Sequence, residues 1–306
     1  MGPLFWTVLC ISGAVLAAVL IYGILCLIEP HRHELTHISL SADNGKTSDK
    51  ILLRDGSGIY KISQDGKGKD GVPSDLRIFF FSDLHIETCF ISAAKIIRHI
   101  EEEHKLSPVD AVIFGGDIIT WPRYKSKGFA FLKEISSCCQ RLGIPFYAVT
   151  GNHDTELEDP DVTAGCGFTL LEGRYELIKG SSGKEFALCG VDDSGREERE
   201  WYEMPICPED LPVVFIAHDP DSILHTGERM PDFMLSGHTH GGQLKLPFGL
   251  RISPRHKNEL PSAGILAGAY LYKDSVFFIS RGLGCGYLPI RFGSVPELSV
   301  IDIFIR

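Results

Sequence analysis

The sequence predicts an α/β domain that follows a single N-terminal transmembrane helix. Three observations indicate this: an uncharged apolar run at the N-terminus, short apolar runs that alternate with helical patterns, and polar clusters where those runs end. The chain has 306 residues, of which 44% are hydrophobic and 23% charged, enough for one large domain. We divide it into an anchor (1–30), a lead-in strand or hairpin region (31–75) and a main domain (76–306).

Residues 3–28 carry no charge and exceed the roughly 20 residues that cross a bilayer core. A cleaved signal peptide is the alternative, but such a peptide begins with a cationic region and has a shorter apolar stretch. We therefore predict an uncleaved, single-pass anchor in the inner (cytoplasmic) membrane. Arg32 is the first basic residue after the run, and the positive-inside rule then places the main domain in the cytoplasm.

The net charge limits which partners the protein can bind, and the cysteine pattern indicates the redox state of its compartment. The formal charge of −10 argues against a broad basic surface, so we expect no nucleic-acid partner. Nine cysteines occur without a CxxC pair, which favours free thiols in a reducing compartment over a disulfide framework. No pattern indicates an oligomeric state.

The lead-in region alternates in polarity over 36–41, 50–54 and 58–63, with Asp-Gly and Gly-Lys turn signals between these stretches. In the main domain, the apolar runs 78–81 and 111–114 flank a helical pattern at 91–103, which predicts a βαβ unit. A second helix is predicted at 129–141. Further strands are predicted at 146–149, 187–191, 213–217, 233–235, 277–280 and 298–305.

Polar clusters follow five of these strands, where α/β sheets bind their ligands. In Asp83-x-His85 and His238-x-His240 the side chains lie two apart and point the same way in extended backbone, although either pair alone is more often a turn feature. Carboxylate, amide and imidazole ligands together suit Mn²⁺, Fe or Zn²⁺. Two such ions would hold a phosphoryl group and activate the attacking water. The clusters are at residues 82–85, 115–117, 151–154, 217–219 and 237–242.

The order of these motifs, D-x-H, G-D, G-N-H-[DE], H and G-H-x-H, resembles that of the calcineurin-like metallophosphoesterases. The resemblance implies a four-layer α/β/β/α sandwich with two mixed sheets and two divalent metal ions, for which we favour Mn²⁺. It implies one group of ligands for the first ion, a bridging carboxylate, and a second group. The ligands of the first ion would be Asp83, His85 and His240. The bridging carboxylate would be Asp117, and the ligands of the second ion would be Asn152, His218 and His238.

The same resemblance implies catalytic roles for the next two residues of the third motif. His153 would stand beside the metals and stabilise the phosphate or protonate the leaving group, and Asp154 would orient it. The alternative for His153 is an ordinary turn residue.

The anchor with Ile28-Glu29-Pro30, the run ending at Gln243 and the tail at 280–297 resemble a membrane-anchored bacterial subgroup of this family. That subgroup includes the UDP-2,3-diacylglucosamine pyrophosphatases of lipid A synthesis, which release lipid X and UMP. The resemblance implies a lipid-linked nucleotide substrate at the bilayer. Two alternatives stay open: a broad phosphodiesterase or phosphatase on another phospholipid, cell-wall or nucleotide substrate, and a metal-free scaffold of the same fold.

Basic residues near the motifs are candidates for substrate contacts. The loop 120–127 combines aromatic and basic side chains, and in it we select Arg123 and Lys125, with a solvated helix start as the alternative. Arg281 and Arg291 are each candidates for a phosphate contact or a structural role. The connections 155–180 and 243–262 are the natural places for substrate-selecting loops.

Overall fold

A computed structural model of the protein describes residues 2–41, 47–62, 73–154, 165–191, 203–245, 251–252 and 258–305. These residues contain the α-helices α1 (Pro3–Ile28), α2 (Ala93–Leu106), α3 (Lys125–Leu142) and α4 (Glu259–Ser262). In chain order, the strands are β1 (Glu34–Ser41), β2 (Thr47–Leu52), β3 (Gly58–Ile62), β4 (Leu76–Phe81), β5 (Ala111–Phe114), β6 (Phe146–Ala148), β7 (Thr169–Leu170), β8 (Arg174–Lys179), β9 (Glu185–Gly190), β10 (Val213–Ile216), β11 (Phe233–Ser236), β12 (Leu244–Lys245), β13 (Arg251–Ile252), β14 (Gly268–Tyr272), β15 (Ser275–Ile279) and β16 (Glu297–Phe304).

Two mixed sheets form the body of the domain. The first has the order β1-β16-β4-β5-β6-β7, in which β4 to β7 are parallel and β16 runs antiparallel to β4. The second has the order β2-β3-β14-β15-β11-β10-β9-β8, in which β15, β11, β10 and β9 are parallel. The predicted α/β class with two mixed sheets is therefore confirmed.

The alternation of side chains along β4 shows how the layers are made. Ile78 and Phe80 point into the core between the two sheets, whereas Phe79 and Phe81 point into the core beneath α2 and α3. Both sets are fully buried, which explains why the strand is apolar throughout its length. On the outer face of the second sheet, the described helices are the short 3-10 helix Pro220–Leu224 and α4. The fourth layer is therefore thin in the part of the chain that the structure describes.

Strands from the predicted lead-in region belong to both sheets. β1 lies parallel to β16 at the edge of the first sheet, and the β2–β3 hairpin extends the second sheet next to β14. Residues 42–46 and 63–72 of this region lie outside the described residues, and the domain boundary at residue 76 stays a prediction. The sequence pattern did not predict β8 or β14. β8 is a sheet edge with charged and exposed residues, so it lacks the buried apolar run on which the other strand predictions rested.

Helix α1 is the one helix among the described residues that is long and apolar enough to span a membrane. Its apolar side chains are exposed over nearly the whole length, so no protein layer covers them. Its final turns, however, pack on the main domain. The backbone N–H of Arg291 donates to the carbonyl of Cys26 over 3.0 Å, and the rings of Tyr22 and Phe292 lie 4.6 Å apart.

Candidate metal centre

The five polar clusters converge at one edge of the sandwich because they follow the carboxyl ends of parallel strands. Three clusters follow neighbouring strands β4, β5 and β6 of the first sheet, and two follow neighbouring strands β10 and β11 of the second. The two sheets face each other, so their loops meet above the core between them.

The backbone is strained at these loops. Five of the seven predicted ligands, including the bridging carboxylate, have positive φ angles between 34° and 69°. Residues other than glycine rarely adopt this region. Such strain persists only where the surrounding structure imposes it, and it concentrates at functional sites. The five residues are Asp83, His85, Asp117, His238 and His240.

A first group of buried side chains comprises Asp83, His85 and His240, whose ligand atoms lie within 4.8 Å of one another. We call it the first cluster. The Nε2 atoms of His85 and His240 face each other at 3.2 Å, and Nε2 of His240 lies 3.7 Å from Oδ1 of Asp83. The side chains of Asp83 and His85 are wholly inaccessible to solvent.

A second group, the second cluster, comprises Asp117, His218 and His238, again within 4.8 Å. Nε2 of His218 lies 3.2 Å from Oδ2 of Asp117, and the amide oxygen of Asn152 lies 2.9 Å from Nδ1 of His238. The same Oδ2 of Asp117 is 3.4 Å from Nε2 of His85. Asp117 therefore lies between the two clusters.

The outer nitrogens of two histidines show which nitrogen is turned to the centre. Nδ1 of His218 is 2.7 Å from the carbonyl oxygen of Gly115, and because a carbonyl only accepts, Nδ1 carries the proton. Its Nε2 then presents a lone pair to the centre. Nδ1 of His85 similarly meets the hydroxyl of Thr120 at 2.9 Å. Metal-binding histidines are commonly held in this way by a partner on the other nitrogen.

The glycine before Asp117 permits the close approach of the loops. Gly116 has φ +91°, and a Cβ there would lie 2.7 Å from the backbone nitrogen of Gly151 and 2.8 Å from Nδ1 of His218. Any larger residue would therefore separate the loops that carry the second cluster.

Burial and close contact shift the pKa values of the carboxylates and imidazoles in the centre. Burial raises the pKa of Asp83 above its usual value. Burial acts in the same direction at Asp117, but His218 and His85 outweigh it and hold the pKa of Asp117 well below its usual range. Burial, with His85 and Arg291 nearby, lowers the pKa of His240 well below its ordinary value. Carboxylates and imidazoles that are buried together form a donor set that fits two divalent ions.

His153 lies beside the first cluster. Its backbone N–H donates to Oδ1 of Asp117 over 2.9 Å, and its ring centroid is 5.4 Å from that of His85 and 5.7 Å from that of Tyr287. Burial lowers the pKa of the imidazole. The position agrees with a role at the reacting group, and that role stays a prediction.

Asp154 connects the loops that follow β5 and β6. Its Oδ2 accepts from the backbone N–H groups of Asp117 (2.7 Å) and Gly151 (2.9 Å), and its Oδ1 accepts from Ile118 (2.8 Å). Burial, and next the charge of Asp117, raise its pKa to about 7. These contacts give the carboxylate a structural task, and the predicted orientation of His153 by Asp154 stays a prediction.

The three predicted substrate residues lie in different settings. Arg281 pairs with Glu34 at 2.8 Å and with Glu297 at 3.1 Å, so its guanidinium already has carboxylate partners. Arg123 is exposed, with its guanidinium 5.0 Å from the ring of Tyr124. Lys125 lines a shallow cavity of about 360 Å³ beside α3. Their contact with a substrate stays a prediction.

The structure assigns Arg291, which sequence analysis left open, to a structural role. Its side chain is fully buried, and Nη1 donates to the carbonyls of Arg281 (2.9 Å) and Ser294 (3.0 Å). Nη2 lies 3.3 Å from Nδ1 of His240. The contact of Thr120 with His85 could not be recognised in the sequence, because a threonine after a strand gives no signal until its histidine partner is known.

Residues 76–242 match the family description "Calcineurin-like phosphoesterase", a stretch that contains every one of the seven predicted ligands. The chain belongs to the calcineurin-like phosphoesterase family. It is therefore a phosphoester hydrolase of the metallophosphoesterase type. Members of this family use divalent metal ions, and the two clusters are groups that could hold them.

Three relatives show the range of the family around this chain. The uncharacterized metallophosphoesterase YkoQ of Bacillus subtilis is 30% identical over 246 residues, covering 77% of this chain and 87% of YkoQ. The phosphodiesterase YaeI of Escherichia coli is 26% identical over 74% of this chain and 82% of its own. The UDP-2,3-diacylglucosamine pyrophosphatase LpxG of Chlamydia trachomatis is 31% identical over 100 residues, 30% of this chain and 29% of LpxG.

Proposed function

We propose that this calcineurin-like phosphoesterase is a membrane-anchored hydrolase of phosphodiester or pyrophosphate bonds. The observation that carries the proposal is the pair of buried clusters that share Asp117, with Oδ2 of this residue 3.4 Å from His85 and 3.2 Å from His218. One carboxylate between two ligand groups is the arrangement expected of a centre for two neighbouring ions. We favour Mn²⁺ over Fe or Zn²⁺, and all three suit this donor set.

In this proposal the seven side chains divide between two ions as the motifs imply. Asp83, His85 and His240 would hold the first ion, Asn152, His218 and His238 would hold the second, and Asp117 would serve both. When bound, the ions neutralise charge on the phosphoryl group and lower the pKa of the attacking water. The ring of His153 stands at the mouth of the first cluster, where its imidazole donates a proton to the departing oxygen.

As substrate we propose UDP-2,3-diacylglucosamine, cleaved to lipid X and UMP. The partial likeness to LpxG supports this, as does an exposed apolar helix that ends directly against the main domain. Such a substrate stays in the bilayer by its acyl chains while its diphosphate reaches the water. We place the protein in the inner membrane as a single-pass protein, with its catalytic domain on the cytoplasmic side next to Arg32.

Hydrolysis by purified, detergent-solubilised protein tests this proposal. With Mn²⁺ present, we expect release of UMP and lipid X from UDP-2,3-diacylglucosamine and cleavage of bis-p-nitrophenyl phosphate, and loss of both in the Asp83→Ala variant. Cleavage of the artificial diester alone would keep the chemistry and reject the lipid substrate. Elemental analysis of the same protein checks for about two ions per chain.

The likeness to the phosphodiesterase YaeI covers far more of the chain than the likeness to LpxG does, and it favours a second candidate. In that case the protein is a broad phosphodiesterase or phosphatase on another phospholipid, cell-wall or nucleotide substrate, and α1 serves for location. Faster cleavage of a soluble nucleotide diester than of micellar UDP-2,3-diacylglucosamine would select it. A metal-free scaffold is disfavoured because all seven ligand positions are filled.

A further inference from the structure

Four large apolar or aromatic side chains are exposed around the candidate metal centre, and we call them the apolar rim. They are Phe90, Trp121, Tyr287 and Leu288, with between 44% and 61% of each residue exposed. The ring of Tyr287 lies 5.7 Å from that of His153 and 6.2 Å from that of Trp121. The rim therefore borders the centre itself.

The loops that carry the rim are bonded to one another. The hydroxyl of Thr88 donates to the carbonyl of Cys285 over 2.7 Å and accepts from its N–H over 3.0 Å. The backbone N–H of Trp121 donates to Oε1 of Glu87 over 3.0 Å. These contacts link the loop after β4 to both others, so the four rim side chains lie on loops that are bonded to one another.

The same loops are fastened to the end of α1. Phe90 stacks on His31, which follows the helix, with ring centroids 3.9 Å apart. Phe292 packs on Tyr22, and the backbone N–H of Arg291 donates to the carbonyl of Cys26. Tyr22 is six residues before Ile28, where the helix ends, so Arg291 and Phe292 contact the last two turns of α1.

The length of α1 sets how deep in the bilayer these contacts would lie. A helix of 26 residues is about 39 Å long at about 1.5 Å per residue. The hydrocarbon core is about 30 Å thick, so about 9 Å of the helix, or roughly two turns, extends into the headgroup layers. The turns that contact Phe292 and Arg291 are the last two of α1, at its C-terminal end.

We propose that the apolar rim lies in the headgroup layer of the bilayer, so that the metal centre opens onto the membrane surface and takes phosphoesters from it laterally. Aromatic side chains such as Trp121 and Tyr287 favour this layer, where an apolar ring body and a polar tip are both accommodated. The occupant of the rim is lipid, because the surface is continuous with a helix that spans the bilayer. The inference rests on the proposed membrane anchoring by α1.

Quenching of single tryptophans by lipid tests the proposal in the full-length protein. The chain has three tryptophans, so Trp6→Phe with Trp201→Phe leaves Trp121, and Trp121→Phe with Trp201→Phe leaves Trp6. Each protein is reconstituted in phosphatidylethanolamine and phosphatidylglycerol vesicles that contain lipids brominated at shallow or deep acyl positions. A tryptophan-free protein with Leu106→Trp is the control, since Leu106 is exposed at the end of α2, at the opposite edge of the sheet.

We expect Trp6 and Trp121 to lose most of their fluorescence, Trp121 more to the shallow bromines, and the tryptophan at position 106 to lose none. Quenching of Trp6 without Trp121 would overturn the rim proposal and leave the anchor intact. Quenching of neither would overturn both, and quenching of all three would indicate general adsorption and overturn the rim. These readings do not depend on hydrolysis, so they stand even if the proposed substrate is rejected.

A second variant tests the consequence for substrate capture. Leu288→Ser removes an apolar side chain that is 60% exposed and belongs to none of the predicted ligands, so cleavage of soluble bis-p-nitrophenyl phosphate should be unchanged. For UDP-2,3-diacylglucosamine in vesicles, we expect KM to rise about tenfold, the equivalent of one lost apolar side chain in the membrane. An equal loss on both substrates would overturn lateral capture, as would no loss on either.

Discussion

The two clusters of the candidate centre are held in different ways. In the second cluster, Nδ1 of His218 lies 2.7 Å from the carbonyl oxygen of Gly115. Gly115 follows β5, which belongs to the opposite sheet. In the first cluster, His240 is held from the C-terminal segment, where Ser294 donates to its carbonyl over 2.5 Å and Arg291 faces its ring. The second cluster thus depends on the sheet ends, and the first also depends on the segment that docks α1.

The two histidines also differ in what their outer nitrogen meets. The carbonyl beside His218 requires the proton on Nδ1, which leaves Nε2 ready to bind a metal ion. The guanidinium of Arg291 only donates, so its contact with Nδ1 of His240 requires the proton on Nε2. His240 must change tautomer and give up this contact before Nε2 becomes a ligand. His218 is therefore preset to bind a metal ion through Nε2, and His240 is not.

The largest expected effect comes from the residue that both clusters share. Asp117→Asn removes a charge from each cluster, and we expect kcat/KM on bis-p-nitrophenyl phosphate to fall about a thousandfold or more. Asp274→Asn, in an exposed turn, is the matched control and should leave the rate unchanged. Substantial activity in the Asp117 variant would show that the two clusters do not depend on a common ligand.

Loss of Arg291 should chiefly affect stability. Arg291→Met leaves the carbonyls of Arg281 and Ser294 without their buried donor, and we expect the free energy of unfolding to fall by about 3 kcal/mol. Urea unfolding of the solubilised protein measures this. Arg141→Met, which removes an exposed ion pair with Glu101, should cost less than about 1 kcal/mol. Equal costs for the two variants would contradict a structural role for Arg291.

Thr120→Val tests the support behind the first cluster. The hydroxyl that meets Nδ1 of His85 is lost at nearly constant volume, and such supporting contacts affect metal affinity or activity by about 10- to 100-fold. Titration with Mn²⁺, followed by activity, measures the change. Thr169→Val on β7 serves as control, and a similar response in both variants would show that Thr120 does not support the centre.

The smallest effect should be a difference in affinity between the clusters. Since His240 loses one contact on binding, we expect the first cluster to bind Mn²⁺ about tenfold more weakly than the second, the value of one hydrogen bond of about 1.4 kcal/mol. Calorimetric titration should resolve two steps. His240→Ala should remove the weaker step and Asn152→Ala should reduce the tighter one. The reverse assignment would contradict the tautomer argument.

The seven predicted ligands were recognisable in sequence because each follows a buried apolar strand within a few residues. Such short motifs need only local order, and the parallel arrangement of β4, β5 and β6 then brings them together. The supporting contacts were not recognisable. Thr120 contacts a histidine 35 positions away, and Arg291 contacts one 51 positions away. Such long separations leave no periodic pattern in the sequence.

The primary structure alone establishes the α/β class, the apolar N-terminal helix and the family, because hydrophobic period and short motifs are local properties. Tertiary structure decided the docking of α1 against Arg291 and Phe292, the position of Asp117 between the clusters and the proximity of the apolar rim to His153. These features depend on which loops meet when two sheets pack face to face. No local pattern encodes that meeting, since it follows from burial of the shared core.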